Sequence, residues 1–234
     1  MPDAQGDRDV LTDFTIHPAS TVEQIVQGLS AAIMRGELEP GTRVRESAIA
    51  TQLKVSRNTV REAVLILQQT GLVRHVANRG AIVRPIDAAE VADLYRVRKV
   101  LELAAVDMVT ADTDLGPLAS ALQELQAAAQ SGDIAVTVQR DLGFHGAIVA
   151  LLGSPRLNAY YSTLDGELSY YLAALSRELN ESAAPEALVE QHAVVYRALV
   201  AGDVRKAHEL LEAHLELNLR VLLDRLVPRS AASS

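Results

Sequence analysis

Beyond Asp87 the sequence advances in six helix-period segments, 88–111, 115–131, 133–152, 156–180, 185–201 and 203–226. They are separated only by LGP at 115–117, SGD at 131–133, GSP at 153–155, AAPE at 183–186 and AGD at 201–203. Helices joined by links this short must fold back on their neighbours, which predicts an antiparallel all-α bundle of about six helices. Composition points the same way: 49% of residues are hydrophobic but only 3% are aromatic, a mixture suited to helices packed on helices. With no cysteine in the chain, disulfides and thiolate metal sites are excluded.

The residues before Asp87 have a different pattern. Val22, Ile25, Val26, Leu29, Ile33 and Met34 share one helical face, and Gly36 and then Pro40-Gly41 stop that helix. A short helix follows over Glu46–Leu53. In KVSRNTVREA, Ser56 is placed to cap a second helix, and Val55 and Val60 have the spacing of a hydrophobic staple across its start. Val60, Ala63, Val64 and Leu67 continue its buried face as far as Gly71. Two short helices around a tight turn at Lys54-Val55 make a helix-turn-helix. LVRHV and AIVRP then read as two strands around ANRG, a hairpin with Gly80 in the turn. The whole is a winged helix-turn-helix, so the fold is mainly α with a small β-hairpin wing.

Charge supports an anionic partner for this part alone. The net charge is −8, yet residues 21–86 hold nine Lys/Arg against five Asp/Glu, a local excess of +4. The first residues of the second helix of a helix-turn-helix reach base edges in the major groove, which nominates Arg57, Asn58, Thr59 and Arg61. Arginine can bridge guanine O6 and N7, asparagine can pair with adenine, and threonine can meet a phosphate or a thymine methyl. The helix start at Ser56 offers N–H groups to a phosphate. Asn78, Arg79 and Gly80 of the wing suit the minor groove, and Arg43 and Arg45 suit phosphates.

The N-terminal stretch MPDAQGDRDVLTDF is acidic and lacks the apolar core of a secretory signal, and no run approaches the length of a membrane span. A cytoplasmic protein without membrane attachment is expected.

PGTRVRESAIATQL, KVSRNTVREAVLILQQTGLV and NRGAIV resemble the DNA-binding domain of the GntR family of bacterial transcription regulators. DLYRVRKVLE, DLGFHGAIVALLGSPRL, QHAVVYRALVAGD and AHELLEAHL resemble the FCD sensor domain of that family's FadR-like subgroup. The implied organisation is a flexible tail over 1–20, a DNA-binding domain over 21–86, an FCD-type sensor over 87–228 and a second tail over 229–234. Three positions depart from the family pattern: Lys54 stands where a glycine is usual, and Ser47 where many members have arginine. Ser154 replaces a common asparagine.

Asp141 and His145, four residues apart, share a helix face and can chelate one ion. His192 and His214 fall near the apolar side of two later helices, and an Asp/His₃ set suits zinc first, then nickel or another divalent ion. The resemblance implies that these four positions are the metal ligands. It also implies that Arg98 lies near a small carboxylate effector, although Arg98 can equally pair with Glu102 on its own helix. Tyr160, Tyr161, Tyr170, Tyr171 and Asn218 are either pocket groups or ordinary half-buried residues, and His17, His75 and His208 fit no pattern. The reading is a homodimeric, non-enzymatic regulator that binds double-stranded operator DNA and is released, most simply as a repressor, by an organic acid at the metal site. A regulator with the ion as its signal is an alternative. A metal-dependent hydrolase fused to a DNA-binding module is a remote one, since no H-E-x-x-H-type glutamate accompanies the histidines.

Overall fold

The structure is a computed structural model that describes residues 20–179 and 185–226, with side chains for all of these except 173–179 and 185. The expected tails, apart from Ser20, lie outside the described residues, as do His17 and the start of the AAPE link.

Helix α1 (Thr21–Met34) opens on a capping box that the hydrophobic pattern alone did not reveal. Ser20 Oγ accepts from the Glu23 amide at 3.3 Å while Glu23 accepts from the Ser20 amide at 2.7 Å. Helix α2 (Glu46–Leu53) and helix α3 (Arg57–Gln69) form the helix-turn-helix. Ser56 caps α3 as expected, accepting from the Thr59 amide at 3.0 Å, and Val60, Ala63, Val64 and Leu67 are buried. Between the two helices Lys54 takes φ 56° and ψ 40°, the left-handed conformation in which a Cβ is strained. Lys54→Gly should therefore stabilise the protein by about 0.5–1 kcal/mol, the relief of strain exceeding the added flexibility of the unfolded chain. A urea titration of the full-length protein checks this, and an unchanged or lower midpoint would show that the lysine side chain contributes more than its strain costs.

The wing is an antiparallel hairpin of β1 (Val73–Val76) and β2 (Gly80–Val83), with Val73 opposite Val83 and Val76 opposite Gly80. Gly80 thus opens β2 instead of sitting in the turn. The loop residue with positive φ is Asn78 (64°), one of the few side chains that tolerate that region. The free edge of β2 is covered by Thr42–Val44: the Val44 amide donates to Ala81 at 2.9 Å and the Val83 amide to Thr42 at 2.8 Å. That third segment is too short to leave a strand pattern in the sequence.

Six helices follow: α4 (Ala88–Asp107), α5 (Gly116–Ser131), α6 (Ile134–Ala150), α7 (Pro155–Leu179), α8 (Pro185–Val200) and α9 (Val204–Leu226). The glycines of SGD, GSP and AGD take φ of 72°, 64° and 72°, left-handed stops that reverse the chain. The first of the six ends at Asp107, not at residue 111. There the Thr110 amide donates to Thr113 Oγ1 at 2.9 Å, and such local hydroxyl bonds compete with helix continuation. Helix α4 packs on α6, α7 and α9, α5 on α6 and α8, and α8 on α9, so α4, α6, α8 and α9 surround the centre of the bundle. Among the described residues nine helices and one two-stranded sheet make up the fold.

Candidate metal centre and nucleic-acid interface

The N-terminal module turns most of its nominated residues outward. Arg57, Asn58 and Arg61 on α3, Asn78 and Arg79 at the wing tip, and Arg43 and Arg45 before α2 are all exposed. Arg61 Nε lies 3.5 Å from Glu46 on α2, a loose exposed pair that a phosphate or base can displace. Thr59 differs: its hydroxyl is 2.7 Å from Ser56 Oγ, so it completes the cap and is less available than its neighbours. Arg43 extends along the wing, with a guanidinium nitrogen 3.9 Å from where a Cβ on Gly80 would stand. Ser47 is exposed on α2, where it cannot supply an arginine's charge.

In the bundle, three histidines from three helices meet. His145 of α6, His192 of α8 and His214 of α9 are all buried, with one ring nitrogen from each lying within 4.8 Å of the others. The Nε2 atoms of His192 and His214 each stand 3.3 Å from that of His145. Two nitrogens held about 2.0–2.1 Å from one tetrahedral ion would stand about 3.3 Å apart. Asp141, one helical turn before His145, places Oδ1 2.9 Å from His192 Nε2. This carboxylate oxygen is buried without a well-formed hydrogen bond, the condition of a ligand atom and not of a satisfied core carboxylate.

The outer nitrogens decide which way the rings present their lone pairs. His145 Nδ1 is 2.6 Å from Glu102 of α4, His192 Nδ1 is 2.8 Å from the Leu188 carbonyl, and His214 Nδ1 is 3.1 Å from Gln191 Oε1. Each partner is an acceptor, so each Nδ1 carries a proton and the Nε2 lone pairs converge. Asn218 Nδ2 approaches His214 Nε2 at 3.1 Å. Burial and the neighbouring His145 and His192 push the His214 imidazole down to about 3, so it stays neutral, as a metal ligand must. Burial works against ionising Asp141 as well, but His192 outweighs it and holds the carboxyl well below its usual range.

Glu102 links this cluster to Arg98. The Glu102 carboxylate is fully buried and accepts from His145, from Arg98 Nε at 2.9 Å and from Tyr161 Oη at 2.6 Å. Burial opposes its ionisation, but the neighbouring His145 and Arg98 outweigh that and bring it down to about 2. Arg98 therefore does pair with Glu102. In an isolated helix an arginine N-terminal to its glutamate is the weaker order, so helix stability does not explain the pair. One guanidinium nitrogen, Arg98 Nη2, remains buried without a hydrogen-bond partner among the described residues. On α7, Asn158, Tyr161 and Asp165 fall at helical spacing. Asn158 Oδ1 and Asp165 Oδ1 are buried and likewise unpartnered among the described residues, and burial raises the Asp165 carboxyl to about 7.

Of the groups left open in the sequence, Tyr161 and Asn218 belong to this cluster, Tyr160 is exposed, and Tyr170 and Tyr171 lie at the junction with the DNA-binding module. His75 is exposed and His208 pairs with Asp107 at 2.7 Å, both away from the centre. Sequence reasoning saw Glu102 only as a helix neighbour of Arg98 and missed Gln191 altogether. Their contacts with histidines on other helices leave no local signal.

A family model described as bacterial regulatory proteins, gntR family, matches residues 21–83, and the FCD domain model matches residues 93–217. The chain is a GntR-family transcription regulator with an FCD domain. It is 35% identical over 192 residues to the Nta operon transcriptional regulator of Aminobacter aminovorans, covering 79% of this chain and 86% of that one. It is 27% identical over 170 residues to the gluconate operon transcriptional repressor of Bacillus subtilis, covering 70% and 68%. A solved GntR regulator from Rhodococcus sp. RHA1 superposes with a TM-score of 0.75 at 31% identity, covering 88% of this chain and 99% of that one. These relatives are regulators and not enzymes, so the hydrolase alternative falls away. No helix among the described residues of the GntR regulator is long and apolar enough to cross a membrane.

Proposed function

We propose that this GntR regulator is a homodimeric repressor whose operator binding answers a small carboxylate held beside a divalent metal in the FCD domain. The observation that carries the metal is the convergence of three histidine Nε2 atoms whose Nδ1 atoms are each held by an outside acceptor. His145, His192, His214 and Asp141 would hold the ion. Zinc fits this donor set best, and nickel or another borderline divalent ion would use the same donors. When bound, the ion supplies a positive centre to which a carboxylate can add.

The carboxylate is supported by Arg98, whose unpaired buried nitrogen is a strong donor in want of an anionic acceptor. Dimerisation follows from the DNA-binding motif, which reads two-fold related half-sites with paired recognition helices. Repression agrees with the role of the gluconate operon repressor of Bacillus subtilis. Such a regulator works on chromosomal DNA in the cytoplasm. The reading with the ion itself as signal is favoured by the continuous chain His145–Glu102–Arg98, which metal binding alone could tighten.

Operator binding tests the proposal. Gel shifts with DNA from the regulator's own promoter, with metal and carboxylic acids varied separately, distinguish the two signals. Loss of the shifted complex only when acid and metal are both present supports the carboxylate reading. Loss with metal alone supports the ion, and no response to either overturns both. In the same assay Arg57→Ala should weaken specific binding by about 1–3 kcal/mol, and unchanged affinity would remove Arg57 from the base-reading set.

A further inference from the structure

Helix α7 touches both the buried cluster and the DNA-binding module. Tyr161, near its start, donates to Glu102, the carboxylate that holds His145. Five to six residues on, a span of about 8 Å along a helix, α7 meets the place where α3 ends. The two backbones approach closely there. A Cβ on Gly166 would sit 3.5 Å from the Thr70 carbonyl, and one on Gly71 would sit 2.4 Å from Glu167 Cγ. Gly71 has φ 76°, so the chain leaving the recognition helix turns directly on the Gly166–Glu167 step.

Arg84, the first residue after β2, closes this junction. Its guanidinium lies 2.9 Å from Glu167 of α7 and 3.1 Å from Glu90 of α4, and it also donates to the Gly71 carbonyl at 3.4 Å. Its own amide donates to Leu72 and its carbonyl accepts from Tyr170 Oη. Tyr171 Oη donates to Glu90 at 3.0 Å, and Arg74 of β1 reaches the same carboxylate at 3.4 Å. The side chains of Arg84, Glu90 and Glu167 are between 18% and 33% exposed, too sheltered for a loose surface pair. One residue at the end of the wing thus holds the end of α3, the start of α4 and the middle of α7.

We propose that Arg84 clasps the recognition helix to α7, and that α7 carries the state of the His145–Glu102 cluster to α3. This rests on the reading of that cluster as the metal site, because the signal is an ion drawing on His145. A packed helix moves as a unit, so a shift of Tyr161 that follows Glu102 is passed to Gly166–Tyr171 and from there to Thr70 and Gly71.

Hydrogen exchange on the full-length protein, stripped with chelator and then given zinc alone, tests it without an operator or an effector. In the wild type, zinc at a hundred times its Kd should slow exchange across α6, by up to about 100-fold in globally opening amides. It should also slow residues 66–84. In Glu167→Ala, α6 keeps its zinc response while residues 66–84 lose theirs. Tyr170→Phe, which deletes a single hydroxyl and leaves the fold intact, should reduce it. An undiminished response at 66–84 in Glu167→Ala, or a wild-type response confined to α6, α8 and α9, overturns the coupling. If zinc protects nothing in the wild type, the metal reading fails and zinc-driven coupling fails with it. The clasp is then judged on metal-free protein, where Glu167→Ala must exchange several-fold faster than wild type over 66–84; equal rates overturn the clasp too.

Discussion

His145→Ala should lower zinc affinity by at least about 100-fold, beyond the 10–100-fold commonly lost when only an outer partner of a ligand is removed. His145 is the shared neighbour in the cluster: both other Nε2 atoms lie 3.3 Å from its own, and its Nδ1 is held by Glu102. In the proposed site, removing the ring takes away a ligand and also the group that would tie the ion to α4. Competition with a chromophoric chelator measures the affinity. Thermal unfolding gives an independent reading, since metal at a hundred times its Kd stabilises the folded state by about 2.7 kcal/mol. The variant should show no zinc-dependent rise in melting temperature over the range that saturates the wild type. Equal affinities in both proteins would mean that the histidines merely pack against one another.

Changing Glu102 should have the largest effect on stability. Glu102→Ala leaves the Arg98 guanidinium buried without its nearest counter-charge, and breaking a buried pair from one side costs about 3–5 kcal/mol. Tyr161 and the His145 Nδ1–H lose their acceptor as well. Denaturant unfolding of metal-free protein should register this as a lower midpoint. Glu102→Gln separates charge from shape. It retains an acceptor for His145 but not the anion that raises that ligand's basicity, so zinc affinity should fall by about 10–100-fold. If Glu102→Ala unfolds at the wild-type midpoint, Arg98 has found another anion, and Asp165 and Asp141 are the nearby carboxylates that could serve.

The strained turn and the clasp show how unevenly the sequence reported on the structure. Lys54 stood out because the family it resembles usually has glycine at that turn, and the left-handed backbone found there gives the reason. Arg84 did not stand out. Nothing in VRPID sets it apart, and its five partners are Gly71, Leu72, Glu90, Glu167 and the Tyr170 hydroxyl. Glu102 is a similar case. As a neighbour of Arg98 at i+4 it looked like an ordinary helix pair, and only the approach of α6 made it the support of His145.

By itself the sequence determined the elements. Periodicity, caps and glycine stops are local properties, so they placed α2, the Ser56 cap, the wing and the six later helices to within a few residues, and the charge excess marked the DNA-binding module. It also nominated Asp141, His145, His192 and His214, because the family pattern carries them. Tertiary structure decided everything that depends on two distant segments meeting. It turned three Nε2 atoms toward one point, buried an arginine with a nitrogen to spare, and set the end of the recognition helix on α7. Those relations are fixed by how helices pack, across separations such as 47 and 69 residues between His145 and the other two histidines, and no local pattern encodes which side chains will face one another.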